Sequence, residues 1–177
     1  MVTKPEVEVK ANAVIKLSAS EISSLLCYPV KINPFLSENI KKAIQTGSFL
    51  HMKLGYTNSQ QFTRITEIEG QIVQITGIPD RIDYENGVVE ELKTFHTVQS
   101  QYRNRKVAFV QLVVYEFLTG LKKGKAILFD VGKGEVVEEV IVSFNEKTFE
   151  KILKKALELK KLSADFLAKF AEIQKEE

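Results

Sequence analysis

The sequence predicts a mixed α/β (α+β) fold: a mixed central sheet flanked by helices, with a long helix closing the chain. Three observations carry that reading. Stretches with apolar residues at helical spacing trade places with stretches of strand-like alternation. Asn86-Gly87 and Gly132-Lys133-Gly134 mark turns inside the alternating stretches. The resulting order, α, α, β, β, β, α, β, β, α, suits a sheet covered by helices. With 177 residues, 44% of them hydrophobic, the chain can fill one core, so 1–177 is read as a single domain.

The elements follow in order. Residues 1–16 alternate loosely (Val7, Val9, Ala11, Val14) and read as an edge strand or arm. Ser18 and Glu21 form a capping-box pattern before Ile22, Leu25 and Leu26, and Pro29 and Pro34 stop that helix. Ser37 to about Leu54 reads as a second helix, with Ile40, Ala43, Ile44 and Leu50 on its buried stripe and His51 near its end. Residues 62–69 and 71–78 alternate around Gly70 as a hairpin. Asn86-Gly87 makes a second hairpin of residues 80–94. Val107, Val110, Val114 and Leu118 place a helix over about 98–121. Strands 125–131 and 135–142 follow. From about Asn145 the last helix carries Phe149, Leu153, Ala156, Leu157, Phe166, Leu167 and Phe170 on one face.

Composition excludes several classes. The only cysteine, Cys27, rules out a disulfide framework or a cysteine-ligated metal centre within one chain, and is expected to be a small buried hydrophobe. No run approaches the roughly 20 apolar residues of a membrane span. No signal-peptide pattern follows the first lysines, so a cytoplasmic location is expected. The net charge is only +2, so affinity for nucleic acid has to come from a local patch. Tyr102-Arg103-Asn104-Arg105-Lys106 supplies one, and Arg103, Arg105 and Lys106 are the candidate DNA contacts. Lys31, Lys41, Lys42, Lys53 and Arg64 are candidates to extend it.

The chemistry concentrates in residues 77–94. Side chains alternate faces on a strand, so Glu91 and Lys93 share one face while Glu90 and Leu92 take the other. Asp80 and Glu91 offer carboxylate oxygens to a hard divalent cation, and the Leu92 carbonyl offers a further one. Lys93 can orient a nucleophile and offset negative charge, with its pKa expected to fall on burial. His51 can add a nitrogen ligand, tilting preference from Mg²⁺ toward Mn²⁺. Asp83 competes with Asp80 but also fits a turn residue before Asn86-Gly87. Phosphodiester hydrolysis needs this equipment: an activated water, neutralised phosphoryl charge and a stabilised leaving alkoxide.

Several pieces in sequence order resemble the PD-(D/E)XK nuclease superfamily, and within it the RecB-like branch that includes CRISPR-associated adaptation nucleases and archaeal viral nucleases. Gly47-Ser48-Phe49-Leu50-His51 is similar to its G-x-x-x-H helix. Gly77-Ile78-Pro79-Asp80 is similar to G-x-x-D and favours Asp80 over Asp83. Glu91-Leu92-Lys93 matches E-x-K, and Gln111 to Tyr115 matches Q-x-x-x-Y. Leu17-Ser18-Ala19-Ser20 and Cys27-Tyr28-Pro29 resemble the branch's opening segment. The resemblance spans about residues 17–120. It implies a restriction-endonuclease-like fold, His51, Asp80 and Glu91 as metal ligands, and Lys93 as a catalytic group. Gln111 and Tyr115 would brace the site or touch the nucleic-acid backbone.

One departure is plain. Many CRISPR-associated members hold an iron–sulfur cluster on four cysteines, whereas residues 116–177 here contain none, so no cluster is expected. The expected activity is Mg²⁺- or Mn²⁺-dependent hydrolysis of single-stranded DNA or DNA ends, in the host cytoplasm if the chain is viral. Two alternatives are carried: a structure-selective endonuclease such as a Holliday-junction resolvase, acting as a homo-oligomer, and a non-cleaving DNA-binding or assembly subunit.

Overall fold

In the computed structural model, residues 13–28 and 38–173 are described. Val7, Val9, Ala11, Pro29, Lys31 and Pro34 lie outside them, as do the side chains of Ile40, Lys41, Ala43 and Phe170. The chain runs through β1 (Ile15–Ser18), α1 (Ala19–Cys27), α2 (Glu38–Lys53), β2 (Phe62–Ile68), β3 (Gln71–Gly77) and β4 (Arg81–Asp83). It continues through β5 (Val88–Phe95), α3 (Val98–Thr119), β6 (Lys123–Asp130), β7 (Glu135–Ser143) and α4 (Glu146–Ile173).

The mixed α/β architecture with flanking helices and a long closing helix stands as expected. Its strands divide into two mixed sheets, ordered β1-β3-β2 and β4-β5-β6-β7. In the first, β1 runs parallel to β3 and β2 pairs antiparallel with β3. In the second, β5 and β6 are parallel while β4 and β7 are antiparallel to their neighbours. Both glycine turns form where expected: Glu69 and Gly70 adopt positive φ between β2 and β3, and Gly87 does so between β4 and β5.

At the start of α1, Ser18 Oγ accepts a hydrogen bond from the Glu21 N–H at 3.1 Å. The reciprocal half of the capping box is not made, because the Glu21 carboxylate meets Lys160 of α4 at 2.8 Å. Central α3 is the hub. Every residue from Val110 to Glu116 is buried, so the helix is enclosed on every side over that stretch, beyond the single stripe expected. It packs across β5 and β6 and against α1 and α4.

Two side-chain expectations are corrected. Ile44 on α2 is exposed, not buried; that helix docks through Leu50 onto a small cluster of Leu92, Ile127 and Phe129. On α4, Phe149, Ile152, Leu153 and Ala156 are buried and Phe149 stacks on Phe117 with centroids 4.2 Å apart, but Phe166 and Leu167 are exposed. The 28-residue helix spans about 42 Å, and its buried positions fall in the first half. Among the described residues, no helix is long and apolar enough to cross a membrane.

Candidate active site

The site forms where β5 outlasts its neighbour. β4 covers only Val88–Glu90, so among the described residues Glu91–Phe95 has no strand partner on that edge. The Asp80 carboxylate takes the vacant place, with Oδ2 accepting from the Leu92 N–H at 2.8 Å. A strand residue projects its N–H and C=O to the same edge, so the Leu92 carbonyl faces this opening too. Helix α2 approaches from one face of β5. A Cβ at Gly47 would stand 3.3 Å from Thr94 Oγ1, a tight contact that marks how closely the helix crosses the strand. One turn later His51 Nδ1 lies 3.5 Å from Asp80 Oδ1. On the opposite face, Lys93 Nζ donates to Glu91 Oε1 at 2.5 Å.

The electrostatics follow from burial at an edge crowded with carboxylates. Burial raises the Glu91 pKa, Lys93 pulls it back, and the Asp80 charge raises it again, with a net upward shift. Burial alone would lower the Lys93 pKa, but Glu91 first, with Asp80 adding to it, holds the amine above its ordinary value. The hydrogen bond to Asp80 raises the His51 pKa against the opposing effect of burial. Asp83 belongs to the turn, accepting from the Asn86 backbone and side chain at 3.0 and 2.7 Å.

Helix α3 supplies the inner wall. Tyr115 and Gln111, one turn apart, are both buried. Burial, then the Glu91 and Asp80 charges, push the Tyr115 phenol far upward, so it stays protonated. Gly77 ties this wall to the strand before Asp80: a Cβ there would come within 2.8 Å of Tyr115 Cε1 and 2.9 Å of Leu118. Two braces were not read from the sequence. Asn58 donates from Nδ2 to the Pro79 carbonyl at 2.8 Å and from its backbone N–H to the Asp80 carbonyl at 3.1 Å. Arg81, lying over the Tyr56 ring, pairs with buried Glu90 and pins β4 to β5. Arg81 and Glu90 are directly opposed across β4 and β5, and the sequence offered Glu90 only as a structural or rim charge; Asn58 carries no sequence signal in a loop of mixed polar residues.

The basic segment divides. Arg105 pairs with Glu138 of β7 at 2.5 Å. Arg103 lies over Tyr28 and Lys106 over Tyr102. Arg64 does not extend this patch. It lies over Phe117 near Gly120, at the far end of α3 and about 20 Å from Arg103 along the axis.

The family model of the PD-(D/E)XK nuclease superfamily matches residues 19–177. The chain belongs to the PD-(D/E)XK nuclease superfamily. No curated protein matches it in sequence. Among solved structures, SSO0001 is similar with a TM-score of 0.55 and 17% identity, covering 81% of this chain and 76% of that one. LHK-Exo in complex with dAMP gives 0.50 at 14%, covering 89% and 94%. The alkaline exonuclease LHK-Exo from Laribacter hongkongensis also appears at 0.49 and 12%, covering 92% and 95%. These likenesses concern the fold.

PD-(D/E)XK nucleases typically use divalent metal ions, and the donor set here fits one. Glu91 Oε2 and Gln111 Oε1 are buried with no hydrogen-bond partner among the described residues, a costly state for polar atoms unless something else binds them. Among the described residues, no group of three His, Cys, Asp or Glu side chains is placed to hold a metal ion. Each carboxylate of the candidate site keeps one oxygen on a donor of the chain itself, Leu92 N–H for Asp80 and Lys93 for Glu91. The single cysteine argues against an iron–sulfur cluster.

Proposed function

We propose that this nuclease is a Mg²⁺- or Mn²⁺-dependent deoxyribonuclease of the RecB-like branch, hydrolysing phosphodiester bonds in single-stranded DNA or at DNA ends. The observation that carries the reading is the unpartnered Glu91 Oε2, buried beside Lys93 and Asp80 at the open edge of β5. On this reading His51, Asp80, Glu91 and the Leu92 carbonyl hold the ion. The ion supplies Lewis acidity toward the phosphate and acidifies a water near neutral pH. Lys93, kept charged by Glu91, orients the nucleophile and offsets charge building on the phosphoryl oxygens. Gln111 presents a free oxygen to fix a water, and protonated Tyr115 donates within the inner wall. Of the candidate contacts Arg103, Arg105 and Lys106 on α3, Arg103 and Lys106 are offered to the strand, while Arg105 is held by Glu138.

The test is cleavage of end-labelled single-stranded, double-stranded and branched DNA in Mg²⁺, Mn²⁺ and EDTA. Cleavage is expected with either metal and not in EDTA, and Glu91→Ala or Lys93→Ala should lower it by about 100-fold or more. Activity surviving both substitutions would remove this site from the chemistry.

A further inference from the structure

The first two turns of α3 carry their positive charge unevenly. Arg103 and Arg105, two residues apart, project about 160° apart around the helix. Arg105 is neutralised by Glu138. Among the described residues no carboxylate pairs with Arg103 or Lys106. Each lies instead on a tyrosine ring, Arg103 at 5.6 Å from the Tyr28 centroid and Lys106 at 4.6 Å from that of Tyr102. Such contacts hold a cation in place without cancelling its charge. Asn104, the neighbour of Arg103, donates to the Thr94 carbonyl at 2.8 Å, one residue after Lys93, and Tyr102 is 60% exposed, so the two pairs lead from the end of β5 onto open surface.

From this arrangement we infer that Tyr28–Arg103 and Tyr102–Lys106 form the track of a single nucleic-acid strand, with Arg103 and Lys106 on its phosphates and Tyr102 stacking an unpaired base. Arg105 takes no part. The occupant is single-stranded DNA for two physical reasons. Cations lacking acidic partners match a polyanion. An exposed ring can stack only on a base that is not already stacked within a duplex, and such stacking tolerates any sequence. The inference rests on the nuclease reading and narrows it to a strand preference and a path.

Fluorescence anisotropy in EDTA, where cleavage is not expected, tests it with a labelled oligothymidylate and a duplex of equal length. Tyr102→Ala should weaken single-strand binding about tenfold and leave duplex binding unchanged, while Tyr102→Phe retains single-strand affinity. Arg103→Ala and Lys106→Ala should each weaken single-strand binding and reduce its salt slope by about 0.7. Arg105→Ala should match the parent. Single-strand binding unaffected by Tyr102→Ala, or Arg105→Ala as damaging as Arg103→Ala, overturns the track. Absence of cleavage in the metal assay would sink the nuclease reading and leave this comparison standing.

Discussion

Asp80 is held from both sides of its peptide, and its own backbone carbonyl is one of the anchors. Asn58 clamps the Pro79 and Asp80 carbonyls, while Leu92 N–H and His51 fix the two carboxylate oxygens. Asn58 therefore acts as a positioning residue. Asn58→Ala removes two side-chain hydrogen bonds in a part-exposed loop, one to the Pro79 carbonyl and one from the Gln60 N–H, so its stability cost should be about 1–2 kcal/mol. Its effect on cleavage should be larger, about tenfold in kcat with little change in KM, because small displacements of a reacting group are costly. Steady-state kinetics beside a urea midpoint separates the two. A variant that loses stability and activity in the same proportion would mean that Asn58 only folds the loop.

At the scale of elements, glycine decides how closely the layers approach. Gly77 lets β3 lie against Tyr115 and Leu118, and the added methyl of Gly77→Ala would force a rigid ring and a buried leucine aside. A cost of about 1–3 kcal/mol is expected from such overpacking, read as a lower urea midpoint with unchanged slope. A midpoint within error of the parent would show that α3 can give way there. Gly77, Tyr115 and the choice of Asp80 over Asp83 were legible through motifs that resemble the family's, whereas Glu91 and Lys93 announce themselves because strand alternation leaves a local mark. The hairpin turns at Gly70 and Gly87 do so too, through the glycine itself. Asn58 and the Arg81–Glu90 pair did not, since each depends on which loop or strand lies opposite, which periodicity does not encode. Ile44 and Phe166 misled because an apolar stripe says that a face is available for burial, and only what packs against it decides whether it is covered.

For the molecule as a whole, the buried acids set the sign of its pH dependence. Glu116 on α3 is fully buried, and burial, opposed by the Gly124 backbone N–H and the Lys122 charge, pushes its pKa from 4.5 up to about 7. The Glu91 and His51 pKa values are raised as well. Between pH 4.5 and about 7 the folded chain thus keeps protons that the unfolded chain has released. Stability from Glu116 is fully present below 4.5 and is lost as pH rises through about 7, opposite in sign to the familiar acid lability of paired carboxylates. The lowered pKa of Asp83 acts below 3.8, outside this window. In EDTA the urea midpoint should therefore fall from pH 5 to pH 8, and Glu116→Gln, which stays neutral throughout, should flatten much of that fall. A midpoint that rises across the window, or an unchanged slope in Glu116→Gln, would refute the assignment. A divalent ion divides the two acids further. On the proposed reading it favours ionised Glu91 and should cancel that residue's share of the slope, while the share from Glu116, set deeper against Gly124 and Leu112, persists with metal present.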